Sequence, residues 1–111
     1  MMEHLEILRQ LEYSPARQTR KKLIASENLV AELVCYEPGQ ATAPHLHPRQ
    51  DEIFHIIEGR GTILVDEDEV PVSAGSVVFV PAGSRHGIRA DAGIRLALMF
   101  IKGPGAAADP R

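Results

Sequence analysis

Residues 39–59 read GQATAPHLHPRQDEIFHIIEG, and residues 75–86 read GSVVFVPAGSRH. Between them the two stretches hold His45, His47, Glu52 and His86, framed by Gly39, Gly59, Gly75, Pro81 and Gly83. His45 and His47 are two apart, so on an extended segment their rings leave the same face and can chelate one ion. Glu52 follows His47 at an odd offset, which a regular strand would send to the opposite face. The break Pro48-Arg49-Gln50-Asp51 resets that parity and lets Glu52 open a new strand pointing back at the same centre. His86 comes after the tight turn Pro81-Ala82-Gly83 and opens a later strand. In a closed barrel such strands meet face to face.

Working outward, the pattern is β throughout. Residues 22–26 and 29–36 read as a hairpin about Glu27-Asn28, and further strands are expected at 52–57, 62–65, 70–73, 77–80, 86–90 and 94–101. Turn signals recur at Pro38-Gly39, Gly59, Ala74-Gly75, Pro81-Ala82-Gly83 and Ala92-Gly93. Many short strands with regular Gly/Pro punctuation point to an all-β sandwich or barrel. Residues 66–69 are four acids in a row and read as a hydrated hairpin turn, not a calcium loop. Leu5, Leu8 and Leu11 stand at helical spacing, so residues 3–12 are expected as one short amphipathic helix. The chain thus divides into an N-terminal helix or arm (1–18), a barrel (19–102) and a flexible Pro/Gly-rich tail (103–111). Arg17, Arg20, Lys21 and Lys22 read as a solvated edge strand guarded by charge, in preference to an anion site.

With 111 residues, one domain is the natural expectation. A net charge of −3 and the absence of Trp argue against a nucleic-acid partner. No apolar run approaches the ~20 residues a membrane span requires, and residues 1–11 lack the apolar core of a secretory signal. The single cysteine, Cys35, rules out an intrachain disulfide and fits a reducing, cytoplasmic location.

The two opening stretches resemble the two motifs of the cupin superfamily. The first agrees from Gly39 to Gly59, and the second at Gly75, Pro81, Gly83 and His86. The family's usual Asn four residues after that histidine is Ala90 here. The resemblance spans residues 39–90. It implies a jelly-roll barrel of two packed antiparallel sheets, with His45, His47, Glu52 and His86 as metal ligands. Imidazole suits Zn, Cu, Fe and Ni, while a carboxylate adds preference for Mn or Fe, so one divalent transition metal is expected. Three His and one Glu leave about two open positions on a six-coordinate ion.

Phe54 and Ile56 share the phase of Glu52, and Ile88 that of His86, so these three are the expected apolar pocket wall. His55, Arg85 and Arg89 fall out of phase and should face away. Asp51 competes with Glu52 but on the wrong phase. Cys35 is expected as a buried core thiol and His4 as exposed. Three activities suit such a site: a dioxygenase acting on a small organic substrate, a non-redox isomerase or cyclase, and a binding or sensing module without turnover. The second needs a separate acid or base, for which Tyr36, His55 and Glu32 are the local candidates. No catalytic residue is assigned from the sequence. Ile53 and Ile57 leave apolar surface opposite Phe54 and Ile56, so a homodimer is expected.

Overall fold

A computed structural model describes residues 2–104. Met1 and residues 105–111, most of the expected tail, lie outside the described residues. Eight strands follow in chain order: β1 (Thr19–Ala25), β2 (Val30–Tyr36), β3 (Ala41–His45), β4 (Asp51–Val65), β5 (Asp68–Ser73), β6 (Val77–Val80), β7 (His86–Ala90) and β8 (Leu96–Gly103). All pairings are antiparallel, in the order β1-β2-β8-β4-β7-β3, with β5 and β6 also pairing β4. The fold is the expected all-β curled double sheet. No helix among the described residues is long and apolar enough to cross a membrane.

The strands expected at 52–57 and 62–65 are one 15-residue strand, β4. Its first half pairs with β6 and β8, and its second half with β5 and β7. Glu58-Gly59 does not end the strand. A bulge between Ile56 and Glu58 bends it, and Gly59 takes φ +84° at the bend. A bulge with a left-handed glycine turns a strand from one sheet into the next without breaking its ladder. The same local chemistry that marks a turn therefore makes the corner joining the two sheets. The turn at 66–69 is narrower than the acidic run: Asp66 and Glu67 turn, and Asp68 already starts β5.

The expected helix over residues 3–12 is absent. Only a 3-10 turn, Ile7–Arg9, forms there, and its Glu6 makes no side-chain cap. Ten residues hold a helix weakly in water. Here tertiary packing overrides the leucine spacing: Ile7, Leu11 and Tyr13 lie against Leu33, Cys35 and Ala97, while Leu8 stays exposed. The arm covers the outer face of β2 and β8. Ile57, from the outward side of β4, packs into the same cluster.

The main core lies between the sheets and includes Tyr36, Phe54, Ile56, Ile63, Ile88, Leu96, Leu98 and Phe100. Burial along β4 alternates from Asp51 to Ile56, with Glu52, Phe54 and Ile56 buried and Asp51, Ile53 and His55 exposed. Burying Phe54 and Ile56 contributes roughly 2 kcal/mol each. The core thus fixes the register that turns Glu52 inward.

Candidate metal centre

His45 ends β3 and His86 opens β7, and the two residues are direct cross-strand partners. Gly87, just beyond, lets β3 come close: a Cβ there would lie 3.0 Å from the Thr42 carbonyl oxygen. His47 stands in the loop after β3, and its carbonyl accepts from the Gly83 N–H at 2.9 Å. Asp51, the rival of Glu52, is exposed, and its Oδ1 accepts from the Ala82 N–H at 2.8 Å. Those two bonds tie the loop carrying His47 to the turn preceding His86.

The three imidazoles converge. Ring centroids are 4.9 Å apart for His45 and His47, 4.6 Å for His45 and His86, and 5.3 Å for His47 and His86. One nitrogen from each lies within 4.8 Å of the others, close enough to share a metal ion. Glu52 Oε1 is 2.7 Å from His47 Nε2 and 3.3 Å from His86 Nε2. Burial by itself would raise the Glu52 carboxyl. The His86 hydrogen bond and the charges of His47, His86 and Lys102 outweigh burial and hold it below the usual carboxylate range.

The donor set fits a transition metal on its own hydrogen bonding. His45 Nδ1 lies 3.0 Å from the Ala43 carbonyl, and His86 Nδ1 lies 3.0 Å from the Ser84 carbonyl. A carbonyl only accepts, so both Nδ1 atoms carry the proton. In the neutral rings this leaves Nε2 with its lone pair, the arrangement that orients metal-binding imidazoles.

Beside the histidines is a cavity of about 40 Å³, lined by Phe54 and Ile88 together with Val34, Tyr36, Thr42 and Phe100. Ile56, the third expected wall residue, is buried in the core but does not line the cavity. The Phe54 ring stands edge-on to His86 at 5.7 Å. Tyr36 Oη and Thr42 Oγ1 are 2.8 Å apart, and Gln18 Nε2 donates to Thr42 at 3.4 Å. Burial pushes the Tyr36 phenol up to about 12. His55, Arg85 and Arg89 are exposed and His4 is exposed near Glu6, whereas Cys35 is buried under the arm.

Five lining residues escaped the sequence reading: Val34, Thr42 and Phe100, and two cations, Arg20 on β1 and Lys102 on β8. Period-2 alternation puts Lys102 on the face of Phe100, a signal available in the sequence. Arg20 had no such signal, because its place opposite Val34 depends on strand register.

The Cupin domain family matches residues 32–102. The oxalate-binding protein of Thermotoga maritima is 35% identical over 51 residues, 46% of this chain and 42% of that protein. The tetracenomycin polyketide synthase protein TcmJ of Streptomyces glaucescens is 30% identical over 67 residues, 60% of this chain and 45% of that protein. The crystal structure of TT1209 from Thermus thermophilus superposes with a TM-score of 0.88 at 29% identity, covering 93% of this chain and 98% of that one. The chain spans about half the length of the curated relatives it matches.

Proposed function

Because the chain belongs to the cupin domain family, we propose that it is a metal-dependent dioxygenase acting on a small organic substrate. It would hold one divalent ion, iron or manganese by this ligand chemistry, through His45, His47, Glu52 and His86. The observation that carries this reading is the convergence of three imidazoles and a buried carboxylate beside a small, largely apolar cavity. When bound, such an ion supplies a Lewis-acidic centre with open positions and exchanges electrons with dioxygen. The chain's own contributions are positional. Ala43 and Ser84 fix two imidazole tautomers, Phe54, Ile88 and Val34 exclude water, and Tyr36 with Thr42 presents hydroxyls to a ligand. In ring-cleaving or carbon–carbon-cleaving dioxygenation the substrate gives up all four electrons that dioxygen accepts and both oxygen atoms enter the products, so the reaction requires no separate electron donor.

An isomerase is less well supported. Tyr36, with its phenol near 12, is a proton donor and a poor base at neutral pH. His55 faces outward, and Glu32 lies 3.8 Å from Arg20 without lining the cavity. A binding module without turnover has two supports: the small cavity and the similarity to an oxalate-binding protein. We also propose a homodimer, formed through the outer sheet face that the arm leaves uncovered, and a reducing cytoplasmic location in keeping with the free thiol of Cys35.

Metal analysis of protein purified without added metal, followed by oxygen uptake on a panel of small organic acids with Fe(II), tests the main reading. The expected result is stoichiometric metal that His47→Ala removes, with substrate-dependent oxygen consumption. Undiminished turnover under strict anaerobiosis would overturn the dioxygenase. Metal retained in full by His47→Ala would overturn the ligand assignment.

A further inference from the structure

We propose that Asp51 and Asp66 are positioning residues of the metal centre: from the two ends of β4 they hold the turn between β6 and β7 so that the Ser84 carbonyl aims the His86 imidazole. This rests on the metal-centre reading above and adds to it two carboxylates outside the ligand set. His45 and His86 are oriented alike but supported differently. Each sets its Nδ1 3.0 Å from the carbonyl two residues upstream, Ala43 for His45 and Ser84 for His86. Ala43 lies within β3, which pairs with β7 on either side of it. Ser84 lies in residues 81–85, outside any strand, so the aim of its carbonyl depends on what holds that turn.

Every backbone N–H of the turn has a partner, and Pro81 has none to place. The Ser84 N–H donates within the turn, to the Pro81 carbonyl at 3.1 Å, and the Gly83 N–H donates to the His47 carbonyl at 2.9 Å. The other two go to carboxylates. Ala82 donates to Asp51 Oδ1 at 2.8 Å, and Arg85 donates to Asp66 Oδ1 at 3.0 Å. The Asp66 N–H returns a bond to the Arg85 carbonyl at 2.6 Å. Asp66 and Arg85 would be the next pair after Val65 and His86 in the β4–β7 ladder. A regular antiparallel pair of this kind exchanges both bonds between backbone groups. Asp66 stands at φ +54°, where the chain turns toward β5, and its side chain supplies the second acceptor instead.

The Arg85 N–H and the Ser84 carbonyl belong to one peptide group, which is planar and holds them on opposite edges. Seating that N–H on Asp66 therefore sets the direction in which the carbonyl meets His86 Nδ1. The Pro81–Ala82 peptide works likewise: Asp51 accepts from its N–H while its carbonyl accepts from Ser84. A carboxylate acceptor makes each of these bonds stronger than a neutral one would. Both carboxylates come from β4, Asp51 as its first residue and Asp66 as the residue after its last. The corner at Gly59 brings the two ends to one turn, because β4 pairs with β6 before the bend and with β7 after it. Both aspartates are exposed, so water can satisfy the amides they serve. Water does not, however, hold a peptide plane in one direction.

The left-handed backbone at Asp66 separates side chain from conformation. Asp66→Asn keeps an oxygen acceptor and tolerates this backbone, whereas Asp66→Gly keeps the backbone alone. Two readouts apply to both variants and to Asp51→Asn and Asp51→Ala, with urea midpoints showing each one folded. Proton NMR of the metal-free protein follows exchange of the His86 Nδ1–H with water, and chelator competition gives the affinity for Co(II). Asp66→Gly is expected to bind Co(II) about tenfold more weakly than native protein and to exchange the His86 Nδ1–H faster, while Asp66→Asn stays near native in both. Asp51→Ala should fall between Asp66→Gly and native protein, and Asp51→Asn should match native. Asp66→Asn losing as much as Asp66→Gly would overturn the proposal. Asp51→Ala with native Co(II) affinity would overturn the role of Asp51. Protein that takes up no Co(II), yet whose His86 Nδ1–H responds to Asp66→Gly, overturns the metal reading alone. Stoichiometric Co(II) held with the same affinity by native protein and Asp66→Gly overturns this proposal alone.

Discussion

Gly59 and Gly39 share a left-handed backbone, with φ +84° and +78°, but differ in what surrounds them. A Cβ on Gly59 would stand 1.6 Å from the Arg95 carbonyl oxygen, whereas nothing lies within 4 Å of one on Gly39. Gly39→Ala carries only the backbone penalty, about 1 kcal/mol. Gly59→Ala adds a clash with backbone that cannot swing aside and is expected to destabilise by roughly 2–4 kcal/mol. Urea unfolding of both variants checks the ordering, and equal midpoints would show that the corner of β4 yields. The same scale explains what was readable at the site. The approach of His45, His47 and Glu52 was legible because parity and the break at Pro48 are written in the sequence, whereas His86, on a later strand, was joined to them only by the resemblance of the two motifs to the cupin pattern. Arg20 was not legible, since it reaches the cavity only through the pairing of β1 with β2. Ile56 has the right phase but stands one step too deep along β4, a distance parity does not report.

At the scale of elements, the N-terminal arm shows where local patterning loses to packing. Leu5, Leu8 and Leu11 invite a helix, yet the arm forms only the 3-10 turn Ile7–Arg9 because the outer face of β2 and β8 offers Leu33, Cys35 and Ala97 as partners. No local rule predicts that, since the partners are far away in sequence. Tyr13 anchors the arm. Its hydroxyl donates to Glu58 Oε2 at 2.6 Å, and Arg95, itself paired with Glu37, stacks on its ring at 4.4 Å. Burial, followed by the Glu58 bond, pushes the Tyr13 phenol well above its ordinary value, and burial raises the Cys35 thiol beneath it. A group with a raised folded pKa stabilises while protonated, and that contribution fades as pH climbs past its unfolded value. Stability should therefore fall above about pH 9–10, with Tyr36 acting in the same sense. Tyr13→Phe should flatten part of this decline in thermal melts between pH 8 and 11. Cys35 provides a second readout: it is 1% exposed, so disulfide reagents should modify it slowly in native protein and much faster in Tyr13→Ala. Rapid native labelling would mean that the arm does not seal this face.

For the whole molecule, the arm covers only part of the outer sheet. Beyond it, pairing registers line up Phe79, Ile53, Ile101, Ala31 and Ile24 in one outward row across β6, β4, β8, β2 and β1. Phe79 is 58% exposed, and Val77 lies on the same face of β6, also exposed. Isolated surface hydrophobics are ordinary, but Ile24, Ile53, Val77 and Phe79 are all exposed on this one face, with Ile101 half-buried and Ala31 buried between them, and a stable monomer seldom leaves so many on one face to solvent. A second copy packed face to face would bury it, and the contact would be isologous, each row meeting its twin. Of the candidate metal ligands, Glu52 lies on the opposite side of this sheet, inward where Ile53 is outward, while His45 and His86 stand on β3 and β7 of the other sheet. Assembly and metal binding should therefore separate cleanly. Sedimentation equilibrium at micromolar concentration is expected to give a dimer for the native chain and a monomer for Ile53→Glu/Phe79→Glu, with unchanged metal content in both. A monomeric native chain would remove the dimer. Loss of metal with the dimer would mean that the partner supports the site, a coupling that the inward–outward alternation of β4 argues against.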